Sequence, residues 1–408
     1  MKRTGGFRLY PNNGQIQAIA GMLEECRWLY NWALDCRKLA WEHMKEHVNY
    51  YDQANLLPYL KEKVRPNLTG VQSQVLQDVL RRVDKAFKAF FRRAKSGEKP
   101  GYPRFRGKDR YDSITYPQNP AFRIEKTGLR CDKLVLSKIG AVRCRVHRDI
   151  PDDAVTKTCT ISRSGDRWFA SITYDVPDAD VKEIISENVV GLDLGLNHLL
   201  AFSDGVFLDA PKWFRASEKK LGIEQRRLSR KKRRSKNRSR QRLRVSAVHR
   251  KIHAQRKDFM HKTSRSLVDS FDGVVMEDLR IKNMVRNHHL SKSIHDAGWN
   301  MFAGFVAYKA EEAGKHAVFV NPSGTSIECC VCGTPVSKTL SVRTHRCPSC
   351  GLVLDRDTNA AVNILGRGLD ALGLLTAGTA GRACLNDLVT GAMIQEAPSS
   401  PVLAGREG

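Results

Sequence analysis

Three acidic positions lie where apolar segments meet polar ones, and they are the residues of this chain best suited to metal chemistry. Asp193 is set into a short apolar run, Glu277 ends a second apolar run, and Asp355 and Asp357 open a helix-like stretch. A carboxylate among apolar residues is costly unless a cation lies beside it. Divalent cations such as Mg²⁺ prefer oxygen ligands, and a pair of them can stabilise both the attacking and the leaving oxygen of a phosphodiester. The pattern predicts metal-dependent phosphodiester hydrolysis.

Each acid also has an ordinary structural interpretation. Asp193 at a strand end can satisfy a turn, Glu277 can pair with one of the many Lys and Arg residues, and Asp355 can cap a helix. The order of the three along the chain favours a shared site, because a strand Asp and a strand Glu are followed by an Asp at a helix start.

Four cysteines form a second constellation of two Cys-x-x-Cys pairs with fourteen residues between them. They are Cys329, Cys332, Cys347 and Cys350. This spacing is typical of a zinc ribbon, in which four thiolates complete a tetrahedron around the metal. Because the thiolates fill the coordination shell, the predicted zinc is structural. Cys330 is then a bystander, with the alternative that it replaces a neighbouring cysteine in a distorted site. His345 is a competing ligand, but the four cysteines already fill the shell.

The positive charge of the chain is concentrated in one segment. The net charge is +26, and residues 226–257 hold sixteen Lys and Arg and no Asp or Glu. So dense a run repels itself unless a polyanion neutralises it, which favours nucleic acid as the partner over a solvated coil. The predicted contacts are Arg230, Lys231, Lys232, Arg233, Arg234, Lys236, Arg238 and Arg240. Arg104 is a further candidate, in a segment of alternating aromatic and basic residues that can also be a plain linker.

Length and composition favour a globular protein of several domains. The chain has 408 residues, of which 41% are hydrophobic, and this is enough for more than one core. No stretch has the roughly 20 apolar residues of a membrane span, and the N-terminus lacks the apolar core of a signal peptide. We therefore predict a cytoplasmic protein without a membrane partner. The six cysteines outside the cluster are predicted to be reduced, buried thiols.

The elements that must position these side chains follow from periodicity. Apolar residues at helical spacing predict long helices in the first hundred residues, and short alternating runs over 113–178 predict a small β-barrel or sandwich. Around Asp193 three consecutive strands are predicted, followed by two long helices over 213–268 and a helix that begins at Asp296. This alternation fits a ribonuclease-H-like α/β core, with the ribbon inserted before its third acid.

Several motifs, in one order, resemble a known family. They are Gly191-Leu192-Asp193-Leu194-Gly195, Glu277-Asp278-Leu279, Ser293–Trp299, the ribbon preceded by Thr325-Ser326, and Asp355-Arg356-Asp357-x-Asn359-Ala360-Ala361-x-Asn363-Ile364. Together with Arg8–Pro11 and Gly101–Phe105 they are similar to TnpB, the family of transposon-encoded RNA-guided nucleases related to compact type V CRISPR effectors. The chain departs from the family pattern at His295, where Ser is usual, and at Cys330.

The resemblance implies a multidomain α+β fold. The implied parts are a β-barrel wedge domain (1–11 and 113–180), a helical recognition domain (12–112), a RuvC-like nuclease domain (188–322 and 355–370), a zinc ribbon (323–354) and a disordered tail (371–408). The catalytic acids, which hold Mg²⁺, become Asp193, Glu277 and Asp357. The helix with Gln74 and Gln77 is implied to face the DNA motif beside the target.

The function that the resemblance implies is RNA-guided cleavage of DNA. The partners are a guide RNA from the transposon end and a double-stranded DNA target, cut next to a short motif in the presence of Mg²⁺. Two alternatives remain at this stage. One is an RNA-guided or unguided DNA-binding repressor that does not cleave, and the other is a DNA transposase or recombinase that uses the same acids for strand transfer.

Overall fold

The computed structural model describes residues 1–108, 110–128, 131–181, 183–184, 188–209, 211–339 and 342–374, and only the backbone of 282 and 288–290. The chain divides into two compact units, Met1–Pro177 and Asp178 onward. Of the tail predicted to be disordered (371–408), residues 371–374 are described, and the last helix ends at Ala371. Cys384 and the rest of the tail lie outside the described residues. Within the described part of the chain, no helix combines the length and apolar character needed to cross a bilayer.

The helical part of the first unit is built around two long helices. The helices are α1 (Asn13–Leu39), α2 (Tyr50–Asn55), α3 (Leu57–Tyr59) and α4 (Ser73–Lys95), with π-helical turns at Ala40–Met44 and Leu60–Val64 and a 3₁₀ turn at Pro66–Gly70. Asn12 caps α1, because its side chain accepts from the Gln15 backbone while the Gln15 side chain accepts from the Asn12 backbone. Val75, Val79 and Val83 lie on the buried face of α4, as the periodicity predicts.

The β part of the first unit is one antiparallel sheet. Its strands are β1 (Lys2–Tyr10), β2 (Ser113–Tyr116), β3 (Phe122–Glu125), β4 (Asp132–Leu136), β5 (Gly140–Arg145), β6 (Val155–Ser164) and β7 (Arg167–Asp175), in the order β2-β6-β7-β1-β5-β4-β3. The predicted closed barrel is not found: within the described residues the edge strands β2 and β3 do not pair with each other. Alternating hydrophobicity specifies strands, whereas closure depends on tilt and stagger that the pattern does not encode.

One hydrophobic core joins the helices and the sheet of this unit. Leu23 of α1 and Leu76 of α4 lie in the same buried cluster as Phe7 of β1 and Ile172 of β7. Arg82 of α4 ties the helix to β2, since its guanidinium donates to the Ser113 carbonyl at 2.9 Å. The first unit was predicted to consist of a helical domain (12–112) and a β domain (1–11 and 113–180). This division stays a prediction.

The second unit is a five-stranded sheet between helices. Its elements are β8 (Val189–Leu194), β9 (Leu200–Phe202), β10 (Phe207–Leu208), α5 (Trp213–Ser229), α6 (Lys236–Ser270), β11 (Gly273–Glu277), α7 (Ile281–Met284), α8 (His288–Ala297), α9 (Trp299–Glu312), β12 (His316–Val320), β13 (Thr344–Arg346), β14 (Val353–Asp355) and α10 (Arg356–Ala371). The sheet order is β10-β9-β8-β11-β12. Strands β8, β9 and β10 form the predicted antiparallel meander, and β8, β11 and β12 run parallel.

Both faces of this sheet are covered. Leu192 and Met276 pack with α6 and α9 on one face, and Val275 packs with α10 on the other. Because side chains alternate along a strand, Asp193 and Glu277 share the α10 face with Gly191 and Val275. The register pairs Met276 with Leu192, which brings the two acids to the same end of adjacent parallel strands.

The helix predicted to begin at Asp296 is wrong in its boundary. Asp296 belongs to the end of α8, and the chain turns at Gly298, whose φ is +70°, before α9 begins at Trp299. A glycine in the left-handed region interrupts the helical path at little cost. Asp296 instead accepts from the Arg256 guanidinium of α6 at 2.6 Å and from the Phe214 backbone of α5.

Candidate active site

Two of the carboxylates predicted from the sequence, Glu277 and Asp357, lie near the third, Asp193, in the second unit. Asp193 comes from β8, Glu277 from the end of β11, and Asp357 from the first turn of α10. The pKa of Asp193 is raised to about 8, by burial first and then by the negative charges of Glu277 and Asp357, while Arg356 opposes the shift. Glu277 and Asp357 therefore each lie within electrostatic reach of Asp193. Among the described residues, only the four paired cysteines form a group of three or more possible metal ligands whose ligand atoms all lie within 4.8 Å of one another.

Two glycines set the distance between α10 and the sheet. A Cβ atom on Gly191 would lie 2.2 Å from the Ala361 carbonyl oxygen and 2.7 Å from Leu365, and one on Gly368 would lie 2.3 Å from the Val275 side chain. Only glycine permits so close an approach at these positions. The helix that carries Asp357 is therefore held directly on the strands that carry the other two acids.

Glu277 is held by a hydroxyl from the segment that leads into the ribbon. Thr325 Oγ1 donates to Glu277 Oε1 at 2.6 Å, and both side chains are buried. Burial raises the pKa of Glu277, while the Thr325 hydrogen bond and the Arg367 charge oppose the rise. Asn363 of α10 donates to the Thr325 carbonyl at 2.8 Å, so α10 also fixes the residue that orients Glu277.

Asp357 faces a cation that comes from the ribbon. Arg343 Nη1 donates to both Asp357 carboxylate oxygens at 3.3 Å. With its amide oxygen turned toward Arg343, Asn197 accepts from Nη2 at 2.6 Å and from Nε at 3.1 Å. The half-exposed Arg343 thus bridges the loop after β8 and the acid on α10.

Asp355 has a structural role. Its carboxylate caps α10 by accepting from the backbone nitrogens of Asp357 at 2.8 Å and Thr358 at 3.2 Å. A helix cap is the ordinary structural interpretation of an acid at this position. The cap also aligns the first turn of α10, where Asp357 lies.

The asparagines of the third motif bind the ribbon. Asn359 and Asn363, one turn apart on α10, each donate to the Glu328 carbonyl at 2.8 Å, and Asn359 also accepts from the Cys330 backbone at 3.1 Å. Arg367, one turn further on, donates to the Glu328 carboxylate at 3.0 Å. One face of α10 therefore docks the segment that begins the cysteine cluster.

The four paired cysteines converge on one point. Their sulfurs all lie within 4.8 Å of one another, with Cys329 and Cys350 at 3.6 Å and Cys332 and Cys347 at 3.4 Å. Sulfurs bound at about 2.3 Å to one zinc ion would have similar separations. The residues present therefore fit a four-cysteine zinc site. Hydrogen bonds with Thr334 lower the pKa of Cys332 to about 6, which favours the thiolate.

Both turns around the cysteine cluster end in glycine. Gly333 and Gly351 have φ values of +75° and +74°, a region that glycine enters without strain. The spare thiol of Cys330 is buried in the apolar core beneath α10, and burial raises its pKa to about 12. His345 is buried next to Lys338 and is not part of the four-sulfur group.

The predicted nucleic-acid contacts lie in several places. Arg230–Arg234 form the exposed turn between α5 and α6, Lys236 and Arg240 are exposed on the first turns of α6, and Arg104 is exposed in the first unit. Arg238 differs, because its Nη1 donates to the Leu228 carbonyl at 2.7 Å and to the Lys231 carbonyl at 3.1 Å and so closes the turn.

The glutamines predicted to face DNA lie near the start of α4. Gln74 and Gln77 are half-buried. Gln74 accepts from the Gln72 side chain at 3.1 Å. Of the cysteines outside the cluster, Cys26, Cys144 and Cys159 are buried as predicted, whereas Cys36 and Cys131 are partly exposed.

Sequence reasoning missed two residues of the site. Thr325 was seen only as part of a motif, and Arg343 was not singled out. Asn359 and Asn363 are four residues apart and so lie on one face of the helix. This spacing could have indicated that another segment, the one with Thr325, packs on that face. No comparable signal identified Arg343, because its partners come from distant parts of the chain.

Three family models match successive parts of the chain. One described as a probable transposase, of the OrfB type of IS605, matches residues 171–288. One described as the TNB domain of Cas12f1-like proteins matches residues 299–364, and one described as a helix-turn-helix domain matches residues 1–46. In the structure, residues 1–46 form β1, α1 and a π-helical turn.

Two relatives resemble the chain over nearly its whole length. A protein of Streptomyces pristinaespiralis is 33% identical, over 91% of this chain and 90% of that protein. One of Escherichia coli strain K12, InsQ, is 30% identical, over 90% of this chain and 93% of that protein. Both carry the name "Putative RNA-guided DNA endonuclease".

The fold is also similar to a solved structure. The Cas12f1 protein, in a cryo-EM structure of its complex with single-guide RNA and target DNA, superimposes with a TM-score of 0.56 at 15% identity. The match covers 86% of this chain and 82% of that one. The chain therefore has a Cas12-like multidomain α+β fold.

Proposed function

Because the chain belongs to the TnpB (IS605 OrfB) family, we propose that it is an RNA-guided DNA endonuclease. The observation that carries the proposal is that Glu277 and Asp357 lie near Asp193, whose pKa is raised to about 8 by burial and then by the negative charges of these two acids. Neighbouring carboxylates are a favourable site for divalent cations, which prefer oxygen ligands. The five-stranded sheet with α10 would then be the RuvC-like core, over 188–322 and 355–370, with the ribbon at 323–354.

Asp193, Glu277 and Asp357 would hold Mg²⁺. When bound, the metal would supply positive charge to the scissile phosphate and lower the pKa of an attacking water. Thr325 orients the Glu277 carboxylate through its 2.6 Å hydrogen bond. Arg343 holds Asp357 in place through its ion pair at 3.3 Å. Zinc at the four cysteines would be structural and would fix the ribbon that carries Arg343.

A guide RNA would account for specificity in a chain of this size. Pairing between RNA and DNA reads a long target, while the protein holds the duplex through its backbone and shape. The exposed basic turn at Arg230–Arg234 is suited to phosphates. We propose that the RNA comes from the transposon end, and that Gln74 and Gln77 face the short motif beside the DNA target. The helical (12–112) and β (1–11, 113–180) parts would be the recognition and wedge regions.

The proposal is tested by cleavage with the RNA that the protein carries. The chain is expressed with the DNA that flanks its gene, and the copurifying RNA is sequenced. Linear DNA duplexes that match this RNA, with randomised flanks, are then incubated with the complex and Mg²⁺. We expect double-strand cleavage in matched duplexes only, and its loss in Asp357→Asn.

The matched control is Asp370→Asn, because Asp370 is exposed near the far end of the same helix. It should cleave like the unchanged protein. Binding of matched DNA without any cleavage would support a repressor instead, and joined rather than cut products would support a transposase or recombinase. Either result would overturn the proposal.

A further inference from the structure

The helical part of the first unit contains a largely aromatic cavity that has no role in the function proposed above. Its volume is about 520 Å³, within the range of roughly 300–1,000 Å³ that is typical of small-ligand pockets. The side chains that line it come from the end of α1, the segment after it, α4 and the loop that follows α4. They are Arg37, Trp41, Glu46, His47, Val48, Asp84, Phe87, Lys88, Phe90, Phe91 and Tyr102.

The rings of this cavity form a preassembled wall. Tyr102 packs edge-on against Phe87 and Phe90, with ring centroids 5.7 and 5.4 Å apart, and Phe91 stacks on Phe87 at 6.3 Å. Trp41, Phe91 and Tyr102 nevertheless remain 58%, 48% and 45% exposed. Large rings held in place with exposed faces are the arrangement on which nucleic-acid bases stack.

A buried guanidinium supplies the polar side of the cavity. Arg37 is only 7% exposed; its Nε donates to Gln53 at 2.9 Å and its Nη1 to Asp84 at 3.3 Å. Its third nitrogen, Nη2, is buried and has no hydrogen-bond partner among the described residues. A buried donor without an acceptor is unfavourable, so a ligand that brings a carbonyl oxygen to Arg37 would satisfy it.

The charge beside the cavity favours a polyanion as the occupant. The segment that supplies Lys88, Phe91 and Tyr102 contains nine Lys or Arg and two acidic residues between positions 88 and 110. Within the lining itself Arg37 and Lys88 are balanced by Glu46 and Asp84, so the excess of positive charge comes from the rest of this segment. Apolar protein segments and lipid tails gain nothing from that excess, whereas the phosphates on either side of a bound base do. The aromatic wall, the unsatisfied donor and the charge all fit one kind of ligand.

We infer that this cavity binds a single unstacked nucleobase of a bound strand, with the base against Trp41 and Phe91 and a ring carbonyl toward Arg37. Because a guanidinium only donates, the preferred bases are those that present a carbonyl oxygen, namely guanine, cytosine and uracil or thymine, over adenine, which has none. The inference deepens the proposed function and rests on it, since it assigns a nucleotide-binding role to this part of the chain.

The test uses binding rather than cleavage. The full chain is freed of copurified nucleic acid at high salt. It is then titrated at one fixed salt concentration with labelled 12-nucleotide RNAs of adenosines, in which one central position is uridine, guanosine, adenosine or abasic. We expect the uridine and guanosine guests to bind several-fold more tightly than the other two. A base that stacks on one aromatic ring gains about five- to a hundredfold in affinity over a strand that lacks this stacking.

Substitutions then locate the effect. Trp41→Leu and Phe91→Leu should abolish the guest preference, because both keep an apolar side chain but remove the ring. Tyr59→Leu is the matched control, since Tyr59 is as exposed as Trp41 and lies outside the cavity, and it should keep the preference. A 5-iodouridine guest should crosslink to the peptide with Trp41 or to those with Phe87–Tyr102.

Equal binding of all four guests, or a preference that survives both Leu variants, would overturn the inference. So would crosslinks found only outside the cavity. These binding experiments do not measure cleavage of guide-matched DNA, which is tested separately. The nucleobase cavity can therefore be refuted while the proposed endonuclease function still holds. Thermal unfolding of the three variants shows that each is folded.

Discussion

Gly191 and Ala361 lie so close that a Cβ atom on Gly191 would be 2.2 Å from the Ala361 carbonyl oxygen. The glycine that precedes Leu192-Asp193 therefore does not serve the chemistry of Asp193 directly. It lets α10 rest on β8, and so brings Asp357 toward Asp193. The position of the third acid depends on this packing of helix on strand.

Gly191→Ala is expected to destabilise the protein and to impair cleavage. The added methyl cannot fit without moving backbone, and overpacking of this kind costs about 1–3 kcal/mol or more. Thermal unfolding measures the loss of stability. The rate of cleavage of guide-matched DNA should fall, because moving α10 also moves Asp357.

The control for Gly191→Ala is Gly304→Ala, also in the second unit. A Cβ on Gly304, within α9, would meet nothing within 4 Å. Alanine is preferred to glycine inside a helix by roughly 0.5–1 kcal/mol, so this variant should unfold at the same temperature or higher. Equal melting temperatures for Gly191→Ala and the unchanged protein would contradict the packing role.

Thr325→Val is expected to reduce cleavage while the protein stays folded. Valine keeps the shape but removes the hydroxyl that donates to Glu277, and a hydrogen bond to a charged group is worth about 1.5–3 kcal/mol, or roughly ten- to a hundredfold in rate. Burial raises the pKa of Glu277 and the Thr325 hydrogen bond opposes the rise, so its removal raises that pKa further. The acid limb of the pH–rate profile should move to higher pH.

Thr344→Val is the control for the Thr325 experiment. Thr344 is exposed on β13, where a β-branched apolar residue is well tolerated, and its rate and pH profile should not change. An unshifted acid limb in Thr325→Val would mean that Thr325 does not orient Glu277.

The sequence was most informative where the signal is local. The apolar runs around Asp193 and Glu277 predict β8 and β11, and the Cys-x-x-Cys spacing predicts the convergence of four sulfurs. Each of these features is encoded in a few consecutive residues. The order of the acids along the chain predicts a site of three carboxylates. In the structure Glu277 and Asp357 lie near enough to Asp193 to raise its pKa, and a shared metal site stays a prediction.

The sequence was less informative where the structure depends on interactions between distant residues. Arg343 lies beside Asp357 and Asn197, and neither pairing follows from spacing. A β-barrel or sandwich was predicted over 113–178, and no closed barrel is found among the described strands, because the strand pattern does not say which edges pair. The break between α8 and α9 at Gly298 was missed because apolar periodicity continues across it.

The protein without added Mg²⁺ is expected to lose stability as the pH rises toward 8. The folded-state pKa of Asp193 is about 8, through burial and the charges of Glu277 and Asp357, against about 3.9 in the unfolded chain. Protonated Asp193 therefore contributes its full stability below about pH 4, and this contribution is lost as the pH rises through about 8. Melting temperatures of Asp193→Asn should fall less over this range than those of the unchanged protein.

Addition of Mg²⁺ at pH 8 separates this effect from other titrations. The metal should raise the melting temperature of the unchanged protein, because it binds the ionised acids, and should raise that of Asp193→Asn much less. Asp204→Asn, in an exposed turn of the same sheet, should behave as the unchanged protein does. The same pH dependence in Asp193→Asn would assign the effect to another group.

About one zinc ion per chain is expected in the purified protein. Cys347→Ser removes one of the four converging sulfurs and should lose zinc and unfold the ribbon, since metal binding and folding are coupled in such sites. Cys330→Ala should keep its zinc, because that thiol lies in the core beneath α10. Elemental analysis of both variants decides the point, and loss of zinc from Cys330→Ala would make Cys330 a ligand.

Replacing Arg230–Arg234 with glutamine is expected to weaken RNA binding and to flatten its dependence on salt. The turn is exposed and lies between α5 and α6. For a single strand, each phosphate that the protein no longer neutralises lowers the slope of log affinity against log salt concentration by about 0.7, or by about 3.5 for five phosphates. Fluorescence anisotropy over a range of salt concentrations gives the slope.

The control for the turn removes the same charge elsewhere. It replaces five exposed basic residues of the first unit's sheet region, Lys126, Lys133, Arg143, Arg145 and Lys157. If the turn binds phosphates directly, its variant should show the larger decrease in slope, because release of counterions depends on direct phosphate binding rather than on net charge. Equal decreases would mean that the charge of the whole protein, and not this turn, governs binding. Arg238 stays unchanged in both variants, because its guanidinium closes the turn and its removal would alter the shape that is being tested.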